Sequence, residues 1–463
     1  MDADSNNMDV SACDGCAERD RRIARLEDQV KQLQQQIEGL SRSGKRQAAP
    51  FSRGLPKADP KLPGRKSGED YGTKAHRVVP QTIDEVHEAP LPARCPRCGG
   101  GQFIGERIEH QYQVDLPRKP IHRQFNVAVA YCTCCNKRVQ GRHRLQTSDA
   151  LGCCASQIGP NAQAAVVLLN KELGVSQGKI SRFLKGFFHI QLTRGGSCQI
   201  MLRAAERCKA NYQAIVQRVQ VSPSIVPDET GWRVGGRLAW MHVAVGTEAV
   251  AYLIHRARGF EASALLIGAG YAGAMTCDGY ASYLRFIDAL HQTCLDHLIR
   301  RCRAMIEQAN GMTRQFPSQV MALLRQGLAT RNQREAGEIT LAQSRACAAA
   351  LERQMEKLLA SPRRNLANRR LANHLWKHLN SLFTFLQFEG IDATNHKAEQ
   401  AIRPAVVNRK VWGGNRTQTG AQAQSILMSV IFTALRQKRD ALTFLTQLLT
   451  ATPGQRPMLV GTG

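Results

Sequence analysis

The sequence has no apolar run approaching the roughly 20 residues that a membrane-spanning helix needs, which sets the integral helical membrane classes aside. Its opening, MDADSNNMDV, lacks the basic and apolar regions of a secretory signal. A soluble, cytoplasmic protein is therefore expected, with no membrane partner. Acidic residues are scarce, with 37 Asp and Glu against 63 Lys and Arg, a formal net charge of +26. That excess suits a polyanion such as double-stranded DNA, because each neutralised phosphate releases a counterion. An anionic membrane surface or plain solubility are the duller readings. The 15 cysteines are an odd number in a long chain without an export signal, so a disulfide framework is not expected and metal ligation is the first question.

At 463 residues several domains are expected. Over residues 18–42, Ile23, Val30 and Ile37 recur at one heptad position and Leu26, Leu33 and Leu40 at another. β-Branched residues at a with Leu at d favour a parallel two-stranded coil, hence a homodimer. Fewer than three full heptads leave a single amphipathic helix packed on the body as the competing reading. Residues 43–85 form a basic, Pro- and Gly-containing linker with almost no apolar periodicity.

Cys95-Pro-Arg-Cys98 and Cys132-Thr-Cys-Cys135 are two C-x-x-C pairs separated by 33 residues. Four thiolates so spaced are a zinc-ribbon signal and place a structural Zn²⁺ in a domain over 86–148. Cys134 is able to replace one member of the second pair. Cys13-x-x-Cys16 and Cys153-Cys154 are assigned no metal. Residues 149–220 are helical, with GKISRFLKGFF and a second helix beginning near Thr193 or Ser197. A helix-turn-helix would turn Arg194, Gln199 and Arg203 toward a DNA groove. A hairpin of core helices fits the pattern equally well.

From 221 to 290 short apolar strands appear. SIVPDETGWRV, RLAWMHVAVG and AVAYLIHRAR read as an antiparallel meander, FEASALLIG as a helix and GAMTCDG as a fourth strand. Residues 291–388 lose strand signals and read as a helical insertion, and 389–463 complete the core with helices. The expected fold is a multidomain α+β chain with a ribonuclease-H-like core.

Phosphoryl transfer on DNA needs carboxylates from separate elements converging on divalent cations, Mg²⁺ or Mn²⁺. Asp228 lies in VPDETGW, expected at the end of the first strand, Asp278 in MTCDGY after the later strand, and Glu399 in TNHKAEQAIRP early in a helix. Each has a structural alternative: a turn or cap for Asp228, an Asp-Gly turn for Asp278 and a surface pair with Arg403 for Glu399. Glu229 and Asp288 are the substitutes for the first two. Cys294-x-x-His297 precedes Arg300, Arg301 and Arg303. His297 and these arginines are candidates to meet a phosphate or brace the site, as is Arg403, one turn beyond Glu399. Trp376 reads as core, with base stacking as the alternative.

PFSRG with the basic linker, CPRCGG, VPDETGWRV, CDGYASY, CLDHLIRRC and TNHKAEQAIRPAVVNRK follow in the order seen in transposases of the Insertion Sequence 66 family, which the chain resembles over nearly its whole length. The motif with Asn395, Glu399, Arg403 and Pro404 is the most specific part. The resemblance implies a DDE transposase with a ribonuclease-H-like core interrupted between Asp278 and Glu399, behind a zinc-binding domain and a helix-turn-helix. Its partners would be element ends, target DNA and accessory proteins of the same element, at the nucleoid. The chain departs from the pattern after the last motif, where VWGGNRTQTGAQ carries Arg416 and no Asp. A non-catalytic zinc-dependent DNA-binding regulator and a nuclease that cuts without joining are the alternative functions.

Overall fold

The structure, a computed structural model, describes residues 157–461 continuously, and before them Glu18, Arg22, Ile23, 25–30, Gln32, Leu33, 80–88, 92–94, 96–102, 110–113, 119–147 and 150. The chain divides into two compact units, Met1–Asp115 and Leu116–Gly463. In the first unit the described residues of 18–33 are helical. Ile23, Leu26, Val30 and Leu33 each leave about half their surface exposed, so the apolar stripe of this helix is uncovered. Ile37, Leu40 and nearly all of the expected linker lie outside the described residues, as do Cys13, Cys16, Cys95, Cys153 and Cys154.

The second unit opens with an antiparallel hairpin, β1 (Val129–Tyr131) and β2 (Arg138–Gln140). Four helices follow: α1 (Pro160–Lys171), α2 (Gln177–Phe188), α3 (Arg194–Arg207) and α4 (Lys209–Gln220). His189 ends α2 in the left-handed conformation at φ 54°, and the Thr193 hydroxyl caps α3 by accepting from the Gly196 amide at 3.0 Å. The second helix thus begins where the sequence places it. Ile200, Met201, Ala204 and Ala205 bury one face of α3, while Arg194, Gln199 and Arg203 stay exposed on the other.

Beyond them lie β3 (Ser224–Val234), β4 (Arg237–Val245), β5 (Val250–His255), α5 (Phe260–Ile267), β6 (Ala274–Cys277) and β7 (Leu290–Thr293). They form one mixed sheet in the order β5-β4-β3-β6-β7. The first three strands are antiparallel, and β6 and β7 run parallel to β3. The reading of 291–388 as wholly helical misses β7. Its sequence, LHQT, has two buried polar residues in a short parallel edge strand, so no apolar alternation marks it.

The insertion comprises α6 (Leu295–Gln308), α7 (Gln315–Glu335), α8 (Leu341–Ala360), α9 (Leu366–Lys377) and the short α10 (Thr384–Gln387). It has its own apolar centre, including Leu324, Leu351, Met355, Leu375 and Phe385. Trp376 does not join it. The residue is 52% exposed, because Leu375 takes the inward position and the next residue on a helix turns about 100° away.

Three helices close the unit: α11 (His396–Trp412), α12 (Gln418–Arg436) and α13 (Ala441–Thr450). Helix α12 solves the edge problem of β5. Its buried hydroxyls Ser425, Ser429 and Thr433 accept from the amides of Ile254, Tyr252 and Val250 at 3.0, 2.8 and 3.0 Å. A step of four residues along a helix rises about 6 Å, close to the ~6.6 Å of two strand residues. Polar residues spaced by four in an apolar helix therefore satisfy alternate edge amides that would otherwise be buried without partners. Ser429→Ala leaves the Tyr252 amide unpaired and is expected to cost about 1–3 kcal/mol in urea unfolding. An unchanged unfolding midpoint would remove that role.

Candidate active site

Side chains alternate across β3. Val226 and Trp232 face the core beneath α11 and α12, and the Thr230 hydroxyl accepts from Arg409 of α11 at 3.2 Å. Asp228 shares that period-two face. It lies inside β3 and not at its end, because the antiparallel ladder with β4 continues to Val234. The parallel ladder with β6 pairs Ser224 with Ala274 and Ile225 with Met275. Carried three residues further, this register sets Asp228 level with Asp278. Asp278 follows β6 directly, before Gly279 at φ 87°, and its Oδ1 accepts the Tyr280 amide at 2.9 Å.

Glu399 sits in the first turn of α11, where the unpaired amides favour a carboxylate. Its Oε1 is 3.0 Å from Arg300 Nη2 and 3.6 Å from His297 Nε2. Arg300 also contacts Asp296 at 3.1 Å and His297 at 3.2 Å. The pair expected between Glu399 and Arg403 is not formed, since Arg403 is exposed and α6 supplies the cation instead. Arg301 is half-buried on α6.

Behind Glu399 lies a contact that spacing alone does not disclose. The Cys294 thiol donates to Asn395 Oδ1 at 3.2 Å, and the Asn395 amide donates to Cys294 Sγ at 3.3 Å. His297 Nδ1 is 3.4 Å from the same sulfur. Asn395 is the N-cap residue of α11, yet its side chain grips Cys294 and does not cap the helix. Cys294 and His297 thus brace Glu399. Burial pushes the Cys294 thiol up, so it stays protonated and able to donate.

Burial is also the largest influence on Asp228, raising its carboxyl from 3.8 to about 7. The Glu229 amide opposes this at 2.8 Å, while the charges of Glu229, Asp278 and Glu399 add to it. Asp278 and Glu399 therefore both lie within electrostatic reach of Asp228. Asp228 thus keeps its proton at pH values where an exposed carboxyl has lost it. Among the described residues no three His, Cys, Asp or Glu side chains are close enough together to hold a metal ion. Glu399 is turned to Arg300.

The substitutes have other surroundings. Glu229 points to the opposite face, accepting from the Tyr283 hydroxyl at 2.6 Å and from Arg258 Nε at 3.0 Å. Asp288 is exposed ahead of β7. The insertion returns to the site through two histidines that sequence reasoning did not single out. His374 of α9 and His378, the residue that ends it, pack on Gly279, where a Cβ would lie 3.5 and 3.9 Å from their Cε1 atoms. Burial, then the His378 charge, pushes His374 down to about 4. Their spacing of four on a helix is the only sequence sign of them.

At the hairpin, the Asn136 amide donates to the Cys132 carbonyl at 2.8 Å and the Cys132 amide to the Lys137 carbonyl at 2.9 Å, closing the turn between β1 and β2. Backbone hydrogen bonds from Cys135 and Cys134 lower the Cys132 thiol, which favours thiolate. The residues after Cys98 and Cys135, Gly99 and Asn136, are both left-handed, at φ 77° and 50°. Cys135, like Cys98, is thus followed directly by a left-handed residue, and Cys134 is not.

The family model described as Transposase IS66 family matches residues 155–423. The match covers more than half of the chain and spans Asp228, Asp278, the insertion and Glu399. The protein is thus of the transposase class, and it belongs to the IS66 transposase family. No curated protein matches the chain.

Asp228 carries a testable pH signature. Between pH 4 and 7 the folded carboxyl keeps its proton while the unfolded one has lost it, so stability falls as pH rises through that window. Thermal melts in EDTA should show Asp228→Asn gaining on the native protein from pH 4.5 to 8. A difference that does not change with pH would refute the raised carboxyl.

Proposed function

We propose that this chain cuts DNA at the ends of its element and joins the freed 3′-hydroxyls to target DNA, using Asp228, Asp278 and Glu399. The observation that carries the reading is the sheet register that sets Asp228 level with Asp278, with Glu399 near enough for its charge to act on the Asp228 carboxyl. The strand order β5-β4-β3-β6-β7, antiparallel on one side and parallel on the other, supports a ribonuclease-H-like core for residues 221–290 and 389–463, with 291–388 inserted. These carboxylates would hold Mg²⁺ or Mn²⁺, which when bound activates the attacking oxygen and stabilises the leaving one.

The chain's own residues do the positioning. Asp228 and Asp278 approach the phosphate from adjacent strands. Glu399 enters from α11 and must leave Arg300 to join them. Arg300, once released, and His297 would turn toward the phosphate, with Arg301 and Arg403 lining the approach. The exposed face of α3, with Arg194 and Arg203, would contact the flanking duplex.

Cys95, Cys98, Cys132 and Cys135 would hold one structural Zn²⁺ over 86–148, with Cys134 outside the ligand set. The uncovered stripe from Ile23 to Leu33 would pair with a second copy across 18–42, making a homodimer.

The decisive assay mixes the protein with labelled end duplex and Mg²⁺ or Mn²⁺. Nicked and joined products are expected, falling to background in Asp228→Ala, Asp278→Ala and Glu399→Ala. Cys294→Ala, which removes support behind Glu399, should slow nicking by about 10- to 100-fold. Full activity in the three carboxylate variants would sink the mechanism. Binding without cleavage would make the protein a regulator, and cutting without joining a nuclease. Joining that returns only with other proteins of the element would assign them an accessory role. For zinc, elemental analysis should find one Zn²⁺ per chain, retained in Cys134→Ser and lost in Cys135→Ser. The reverse pattern would reassign the ligand.

A further inference from the structure

Arg258 lies in the loop between β5 and α5, in HRARGF, with nothing in its sequence to distinguish it. Its surroundings do. The loop arches past β4 to reach Glu229 on β3, whose side chain is only 4% exposed. Arg258 Nε and Nη2 both approach Glu229 Oε1, at 3.0 and 2.9 Å. The other oxygen accepts from the Tyr283 hydroxyl at 2.6 Å, so the carboxylate cannot swing away. The guanidinium carbon sits 4.6 Å from the Trp240 ring centroid and 4.3 Å from that of Tyr280. Two rings and a buried carboxylate thus hold one long side chain.

This investment exceeds what neutralising Glu229 requires. Freezing an arginine side chain costs about 2 kcal/mol of rotamer entropy, and a counter-ion for a buried acid is normally buried with it. Arg258 instead remains 42% exposed, and Nη1 has no hydrogen-bond partner among the described residues. The cage also points somewhere. Tyr280, one of its walls, donates its amide to Asp278 at 2.9 Å, so the wall and the second aspartate share one turn. Burial works against the Arg258 charge, but Glu229, Tyr280 and Asp278 outweigh it and hold the guanidinium above its ordinary value. Across the site, Arg300 is paired on both sides, with Glu399 and Asp296.

We propose that Arg258 is a preset DNA-phosphate ligand on the Asp278 rim of the site, its guanidinium held by Glu229, Trp240 and Tyr280 so that Nη1 meets a phosphate next to the one being cut. Arginine suits this because a planar fork can share one edge with a carboxylate and offer another to phosphate. A rigid donor beside the reacting centre also fixes the strand without ordering anything new. The inference rests on the reading of the carboxylates as a DNA-cutting site.

The test couples a protein change to a single phosphate. End duplexes carrying one neutral methylphosphonate at successive linkages around the cut are nicked by the full-length protein. For the native protein one linkage beside the cut should slow nicking by about 10- to 100-fold, the loss of one charge-assisted contact. In Arg258→Gln the unmodified duplex should already be slowed by that factor, and the same methylphosphonate should slow it no further. Arg258→Lys should restore part of the sensitivity at that linkage. Because Arg258→Gln strands a buried carboxylate, the double variant Glu229→Gln/Arg258→Gln provides a folded protein that still lacks the contact, and it should show the same insensitivity. A purely structural arginine would slow every duplex alike and leave the methylphosphonate penalty intact at each linkage, which would overturn the inference while leaving the site reading in place. A native protein that cuts no end duplex would overturn both.

Discussion

Cys294 and Asn395 are about a hundred residues apart in sequence and meet through two hydrogen bonds, the thiol to Oδ1 and the amide to Sγ. Beside them the Leu295 amide donates to the Ala393 carbonyl at 3.0 Å. These contacts pin the exit and the return of the helical insertion to one point at the end of β7. That closure sets where α11 begins. Glu399 is one turn past Asn395, and His297 and Arg300 are one and two turns past Cys294, so the tie sets which side chains face each other across the two helices. Further along, α11 is held on the sheet by its own contacts, with Ala398 and Ile402 packed with Val226 and Trp232 and Arg409 donating to Thr230.

The sheet supplies the other half of the geometry. Strand β3 has an antiparallel partner along most of its length and a parallel one only at its start. Beyond the end of that parallel ladder, β6 stays paired with β7 to Cys277 and then leaves the sheet through Asp278, level with Asp228. The charges of Glu229, Asp278 and Glu399 all act on Asp228, and its burial sharpens the cost. Two cations answer it, Arg300 paired with Glu399 and Arg258 paired with Glu229 within electrostatic reach of Asp278. Arg300 is already marked in the sequence by the Cys294-x-x-His297 run that precedes it, whereas nothing in the sequence around Arg258 distinguishes it.

Much of this was legible beforehand, for physical reasons that differ by element. Strands β3, β4 and β5 announce themselves by apolar β-branched runs between glycine-containing turns. The start of α3 is marked by a threonine before a helical pattern, and Thr193 is indeed its cap. Strand β7 stayed hidden because its buried residues are Gln292 and Thr293, satisfied by neighbours that only folding provides. Trp376 was misplaced because a large aromatic beside leucines reads as core, whereas the helix phase turns it outward. The hydroxyl ladder of α12 shows the converse, since Ser425, Ser429 and Thr433 resemble interruptions of an apolar helix until the open edge of β5 lies against them.

By itself the sequence determined residue type and order: an excess of basic charge, two cysteine pairs, and Asp228, Asp278 and Glu399 in motifs that resemble one transposase family. Such features are local, carried by composition and short spacing. Tertiary structure alone decided the partners. It gave Glu399 to Arg300 and not to Arg403, turned Cys294 and His297 to bracing, sent Glu229 to the far face, and caged Arg258 between Trp240 and Tyr280. Those outcomes depend on strand register and helix phase across separations of up to 101 residues, and no local pattern encodes a contact that only the closed chain can make.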